Sequence, residues 1–208
     1  MPGIALLRDV LAEMQPLDII VMADEGRVSS GIQAVTSGSI GHCAVVESTR
    51  PGIGDVRLVE ALWPRVRRTW LSERITDYAK CDRGRVFWLQ LAPDFRASLD
   101  EQAGLLWLSC QVGTKYGVWG AVTSAYSWRW LFGPKDSLAK LHCSELVVAT
   151  FQEATAAGLE KWQADEATPQ DVVRARIYAR AVQLVWPAPL ARFNSTPPGH
   201  MAVGVNQD

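Results

Sequence analysis

The 208-residue chain carries little net charge, few cysteines and no long apolar run, and each shortage closes off a class of function. Its 21 Lys and Arg nearly balance 22 Asp and Glu, giving a formal net charge of −1. No long-range field therefore gathers nucleic acid or an anionic membrane, and no nucleic-acid partner is expected. Asp, Glu, Arg or Gly interrupts every apolar stretch before the ~20 residues that a spanning helix needs, so no transmembrane segment is predicted. The N-terminal stretch MPGIALLRDVLAEMQPLDIIVMADEG lacks a basic leader, a continuous apolar centre and a small-residue cleavage site. A cytoplasmic protein is the expectation. Its four cysteines, Cys43, Cys81, Cys110 and Cys143, form neither a C-x-x-C pair nor the dense framework of a secreted domain. Reduced thiols follow from that. No internal repeat is present, and nothing in the sequence calls for a cofactor.

What is present is an ordinary globular composition, 48% apolar and 21% charged. A chain of this length should bury roughly 70% of its unfolded surface. A catalytic domain over residues 1–186 and an extended, Pro-rich tail over 187–208 are predicted. Helical character is read near Pro2 to Met14, over Ser29 to Ser37, over Leu71 to Lys80, from a capping box at Ser98-Leu99-Asp100-Glu101 to about Val112, over Leu141 to Ala157 and after Thr168-Pro169. Strands are read at Leu17 to Met22, His42 to Ser48, Asp55 to Ala61, Arg85 to Leu91 and Ala181 to Val185. The segment Thr49 to Gly54 is crowded with turn residues, so His42 to Ser48 and Asp55 to Ala61 are expected to form a hairpin. Tyr116 to Lys140 is expected to form a loop-like wall.

Two places could carry chemistry. Cys143 stands at the start of a helical pattern, where free backbone N–H groups and the helix dipole favour a thiolate. A small buried cysteine under an amphipathic helix would look the same. Side chains alternate along strands, so His42 shares a face with Ala44, Val46 and Ser48, as Glu60 does with Val56 and Leu58. If Ser48 pairs with Gly54, His42 falls directly opposite Glu60, close enough for the carboxylate to hold the imidazole. A Cys143-His42-Glu60 triad is the resulting expectation. A satisfied core histidine and a solvated glutamate are the plain alternative.

The order of these features resembles the YiiX/YaeF-like family of permuted papain-fold amidases, a branch of the NlpC-type cysteine peptidase superfamily. The stretches that carry the resemblance are LDIIVM, SGIQAVTSGSIGHCAVV, RLVEAL, GTKYG, LHCSELV and TPQDV, spanning about residues 17 to 175. The resemblance implies an α+β fold of circularly permuted papain-like (NlpC-type) order, with an antiparallel sheet packed against the helix that bears the nucleophile. It also implies Cys143 as nucleophile, His42 as base, Glu60 as orienting acid and Tyr116 as a substrate-binding residue. Many relatives carry Asp after that tyrosine, where Gly117 stands here. The implied activity is hydrolysis of an amide bond of peptide or peptidoglycan-stem type through a thioester, with a small amide, peptide or lipid-like substrate.

Two further readings stay open. Trp128, Trp130 and Phe132 recur at alternate positions and could line an acyl site, as in a lipid acyl hydrolase or acyltransferase like the lecithin:retinol acyltransferase branch, although core packing is their commoner use. An inactive ligand-binding module of the same fold is the other. His142, beside Cys143, is read as a surface residue or one supporting the site from behind. The repeated His-Cys dipeptides raise zinc, but their spacing fits no usual finger or ribbon, so no metal is expected. Cys43 should be buried and inert. Arg65, Arg67, Arg68, Arg83 and Arg85 are read as a solvated face.

Overall fold

The computed structural model describes residues 3–23, 40–81, 84–116, 140–155 and 163–185. The expected helix at Ser29 to Ser37, the aromatic row Trp128, Trp130 and Phe132, Arg83 and the tail at 187–208 lie outside them.

Among the described residues a nine-stranded sheet forms the centre, in the order β1-β9-β6-β2-β3-β4-β5-β7-β8. The strands are β1 (Gly3–Leu6), β2 (Ile19–Ala23), β3 (His42–Arg50), β4 (Asp55–Leu62), β5 (Arg65–Trp70), β6 (Arg85–Leu91), β7 (Lys115–Tyr116), β8 (Lys140–Leu141) and β9 (Tyr178–Val185). The helices are α1 (Leu7–Val10), α2 (Leu71–Ala79), α3 (Pro93–Ala97), α4 (Glu101–Gln111), α5 (Cys143–Ala154) and α6 (Pro169–Arg174). This is an α+β arrangement, but the sheet is mixed. The β9-β6-β2-β3-β4-β5-β7 run is antiparallel, whereas β1 lies parallel to β9 and β8 parallel to β7.

Alternation along the strands sorts the core into two layers. Ile19, Val21, Cys43, Val45, Val59, Ala61 and Leu89 face α5 together with Leu108 of α4 and Val172 of α6. Ile20, Met22, Ala44, Val46, Leu58 and Trp88 face the other way, onto α1 and onto Leu71, Ile75 and Tyr78 of α2. The α5 helix is enclosed, with Cys143 to Phe151 buried on every side rather than along one stripe. A helix buried all round belongs in a core, and this one is walled by sheet, α4 and α6.

Three features differ from the sequence reading. The N-terminal segment is a short strand and one turn of α-helix followed by a 3-10 turn at Leu11–Glu13, not one helix, because Gly3–Leu6 adds to the edge of β9. The cap of α4 is Asp100, whose carboxylate accepts the Ala103 N–H, while the Ser98 hydroxyl turns back to the Phe95 carbonyl. The run at Arg65 to Arg68 is strand β5, which was not expected: Val66 turns into the core, while Arg65, Arg67 and Arg68 are exposed as read, with Arg67 and Arg68 paired to acidic partners. The interior also holds Asp18, whose carboxylate accepts from Gln15 N, Trp88 Nε1, Leu91 N and Arg96 Nη2 at 2.5–3.0 Å. It locks β2 to β6 and α3. Burial pushes its pKa up against those donors.

Helix α5 comes near α4 at Gly104, where an added Cβ would lie 2.9 Å from the Ala154 Cβ and 3.3 Å from Leu17 Cδ1. Gly104→Val should force the helices apart and lower stability by about 1–3 kcal/mol, read as a lower denaturation midpoint. An unchanged midpoint would show that α4 and α5 are not close-packed there.

Candidate active site

Both ends of the site are set by local structure. Cys143 opens α5, and the residue before it caps the helix: the His142 ring accepts the Glu145 N–H at 3.3 Å while the Glu145 carboxylate accepts the His142 N–H at 3.2 Å. Helix N-termini leave backbone N–H groups without helical partners, and this reciprocal box satisfies two of them. His142 is buried, not a surface residue, and burial holds its pKa down. Ser144 anchors the same turn by donating to the Ala167 carbonyl at 2.6 Å. The sulfur of Cys143 is thus held on a turn fixed from two directions.

His42 is the first residue of β3. Its Nε2 lies 2.9 Å from Glu60 Oε2, and Glu60 is fully buried. The hairpin register is not the expected one. Val45 pairs with Val59 and Val46 with Leu58, and a bulge between Val46 and Ser48 shifts the remaining pairs. Continued by one residue, that register sets Glu60 across from Ala44, so His42 lies diagonal to Glu60 rather than opposite it. The displacement is two residues, which keeps both side chains on one face, and a diagonal pair is within reach of long side chains.

Glu60 has further partners that the sequence reading missed. Arg67 on β5 places Nη2 2.9 Å from Oε1, and the buried Arg74 of α2 places Nε 3.2 Å from Oε2 while its guanidinium lies over the Tyr78 ring. Burial alone would raise the Glu60 pKa. The hydrogen bond and charge of His42, the charge of Arg74 and the Arg67 hydrogen bond outweigh it and bring the pKa to about 2. Arg74 was hidden because a helix spacing names no cross-element partner. The arginines of β5 are exposed, as read, and what spacing did not show is that Arg67 also reaches Glu60.

The Cys143 thiol meets side chains from both faces of β3. His42 approaches from one face and Cys43 from the other, each as a hydrogen-bond partner. The Cys43 hydrogen bond holds the Cys143 pKa down, burial opposes it, and the hydrogen bond and charge of His42 with the charge of His142 add to the lowering, so the thiol sits well below its ordinary range. In return burial lowers the His42 pKa, but hydrogen bonds and charges from Cys143 and Glu60 more than reverse this and raise it to about 9. The stable protonation state is a thiolate beside an imidazolium. Burial and the Cys143 charge push Cys43 up, so it keeps its proton. Tyr116 completes the group: its N–H is held by the Pro64 carbonyl at 2.9 Å. Burial and then the charges at Cys143 and Cys43 push its phenol up, which keeps it protonated.

The structure therefore brings Cys143, His42 and Glu60 together, with Cys43, Arg67, Arg74 and His142 around them and Tyr116 near enough for the Cys143 charge to act on its phenol. Exposure favours labelling of Cys81 and Cys110, while Cys143 is 4% exposed. Reactivity should follow the thiolate instead: brief iodoacetamide treatment at mildly acid pH should modify Cys143 first, and Cys43→Ala should slow that labelling by removing a donor to the sulfur. Preferential labelling of Cys81 and Cys110 would contradict the ion pair.

No protein-family model matches the sequence, and no curated protein matches it. Among solved structures the chain is similar to the crystal structure of metalloprotein yiiX from Escherichia coli O157:H7, of DUF1105, at 20% identity and a TM-score of 0.47, covering 83% of this chain and 89% of that one. Among the described residues of this chain, no group of three or more His, Cys, Asp and Glu side chains is arranged to hold a metal ion. The solved structure carries the same name, YiiX, as the family that the sequence resembles.

Proposed function

We propose that this chain is a cysteine hydrolase of permuted papain-like fold that acts by acyl transfer through a thioester on Cys143. The observation that carries the reading is the joining of Cys143, at the first turn of α5, to a His42 ring whose Nε2 is held by the buried Glu60. Nε2 is committed to Glu60, which leaves Nδ1 for the sulfur. The Cys143 thiolate attacks a carbonyl carbon, and the oxyanion that forms is met by the Cys143 backbone N–H and by the protonated Tyr116 hydroxyl. The His42 imidazolium gives its proton to the leaving group as the tetrahedral adduct collapses. Neutral His42 then takes a proton from water, whose oxygen attacks the thioester and frees the acid and the thiolate. Glu60, held ionised by His42 itself and by Arg74 and Arg67, keeps the ring oriented and stabilises its charge. The favoured substrate is an amide of peptide or peptidoglycan-stem type, a choice that rests on the sequence resemblance.

Because His42 moves protons while Glu60 orients it, His42→Ala should lower kcat/KM by roughly 10²–10⁴-fold and Glu60→Gln by less. Intact mass in the presence of amide and ester acyl donors should show an adduct that Cys143→Ala abolishes and that water discharges quickly. An adduct stable in buffer but discharged to a lipid acceptor would replace the hydrolase reading with the acyltransferase one.

A further inference from the structure

The hydrolytic cycle makes no use of Cys43 beyond its donation to the Cys143 sulfur. Yet this second thiol is fully buried on β3, on the face that α5 covers, in the same apolar cluster as Cys143 and in hydrogen-bond contact with it. A disulfide requires Cβ atoms about 3.5–4.5 Å apart, and a strand residue and the first turn of the helix packed on it are elements between which such a separation arises. Strand β3 and α5 pack directly on each other, with Cys43 on the face of the strand that α5 covers and Cys143 in the first turn of the helix.

We propose that Cys143 and Cys43 form an oxidation site in which a small hydroperoxide oxidises Cys143 and Cys43 resolves the product as an intrachain disulfide. In the first step the Cys143 thiolate attacks one peroxide oxygen. An S–O bond forms, the O–O bond breaks, the sulfur loses two electrons to the peroxide, and the leaving hydroxide takes a proton to become water. In the second step the Cys43 sulfur attacks the sulfenic sulfur of Cys143. The S–S bond forms, the S–O bond breaks, and the departing hydroxide carries off the Cys43 proton as water. Once Cys143 is a neutral sulfenic acid, its negative charge no longer adds to burial in holding the Cys43 proton, which eases the resolving step. An external dithiol exchanges with the disulfide and restores both thiols. The disulfide consumes the nucleophile and protects it from further oxidation to sulfinic and sulfonic acids. The inference rests on the activated Cys143 thiolate proposed above, not on which acyl group it accepts.

The test treats the full chain with an equimolar amount of hydrogen peroxide at neutral pH, followed by acid quenching, intact mass and non-reducing peptide mapping. Wild type should lose two hydrogens, yield one Cys43–Cys143 cross-linked peptide and recover its mass with dithiothreitol. Cys43→Ala and Cys43→Ser should instead gain oxygen at Cys143, with dimedone trapping there roughly tenfold above wild type. Wild type that accumulates dimedone-reactive Cys143 as the variants do, or a disulfide through Cys81 or Cys110, would overturn the proposal. If Cys143 is alkylated fast by iodoacetamide but not cross-linked, the disulfide alone fails. If it is neither alkylated nor oxidised, the activated thiolate fails too.

Discussion

A fully buried carboxylate that stays ionised governs the site. Removing Glu60 from water penalises its charge by several kcal/mol, so the surrounding fold must supply compensating partners. It does so from three separate elements: His42 on β3, Arg67 on β5 and Arg74 on α2. One charge thereby fixes the relation of two strands to a helix, and it fixes the His42 ring that has to meet Cys143. Loss of Arg74 would leave the carboxylate under-compensated in an apolar layer and would disturb the imidazole without touching it.

From that anchor the charge pattern runs outward in alternating sign, from the guanidinium groups to Glu60, His42 and the Cys143 sulfur. The sulfur is held down by two donors of different kinds. His42 supplies a charge on one side of β3, and Cys43 supplies an S–H on the other. Because the strand alternates, adjacent residues reach the same sulfur only where it lies across the strand's end, which is where the cap formed by His142 and Glu145 puts the first turn of α5. Burial of that cap has its own consequence, since burial and the nearby Asp165 charge raise the Glu145 pKa to about 7 against the His142 backbone hydrogen bond. The helix start therefore carries a carboxyl group that changes charge near neutrality.

Much of this was legible in the sequence because the relevant signals are local. Strand β6 was read with its observed limits, since Val, Phe, Trp and Leu between turn residues leave little ambiguity. The Thr168 cap and Pro169 start α6 as read, with the Asp171 carboxylate returning to the Thr168 N–H. Pairing of His42 with Glu60 came from a register that was wrong by two residues, and parity rescued it: a shift of one would have put the two groups on opposite faces. What stayed illegible was long-range. The pairing of β1 with β9 joins the two ends of the described chain, and no local pattern announces it. Strand β5 offers one apolar core residue, Val66, among charges, so its alternation looked like a solvated run. Arg74 and the approach of Cys43 to Cys143 depend on how two layers meet, which spacing along one element does not encode.

The most direct measurement of the central claim is the rate of Cys143 alkylation as a function of pH, followed by mass spectrometry of the Cys143 peptide. An ion pair makes the thiolate available well into the acid range, and a second rise should appear near pH 9, where the His42 proton leaves and the sulfur loses its charged partner. His42→Ala should remove the acid-range reactivity. A single inflection near the ordinary thiol pKa of about 8.5, unchanged in His42→Ala, would contradict the account.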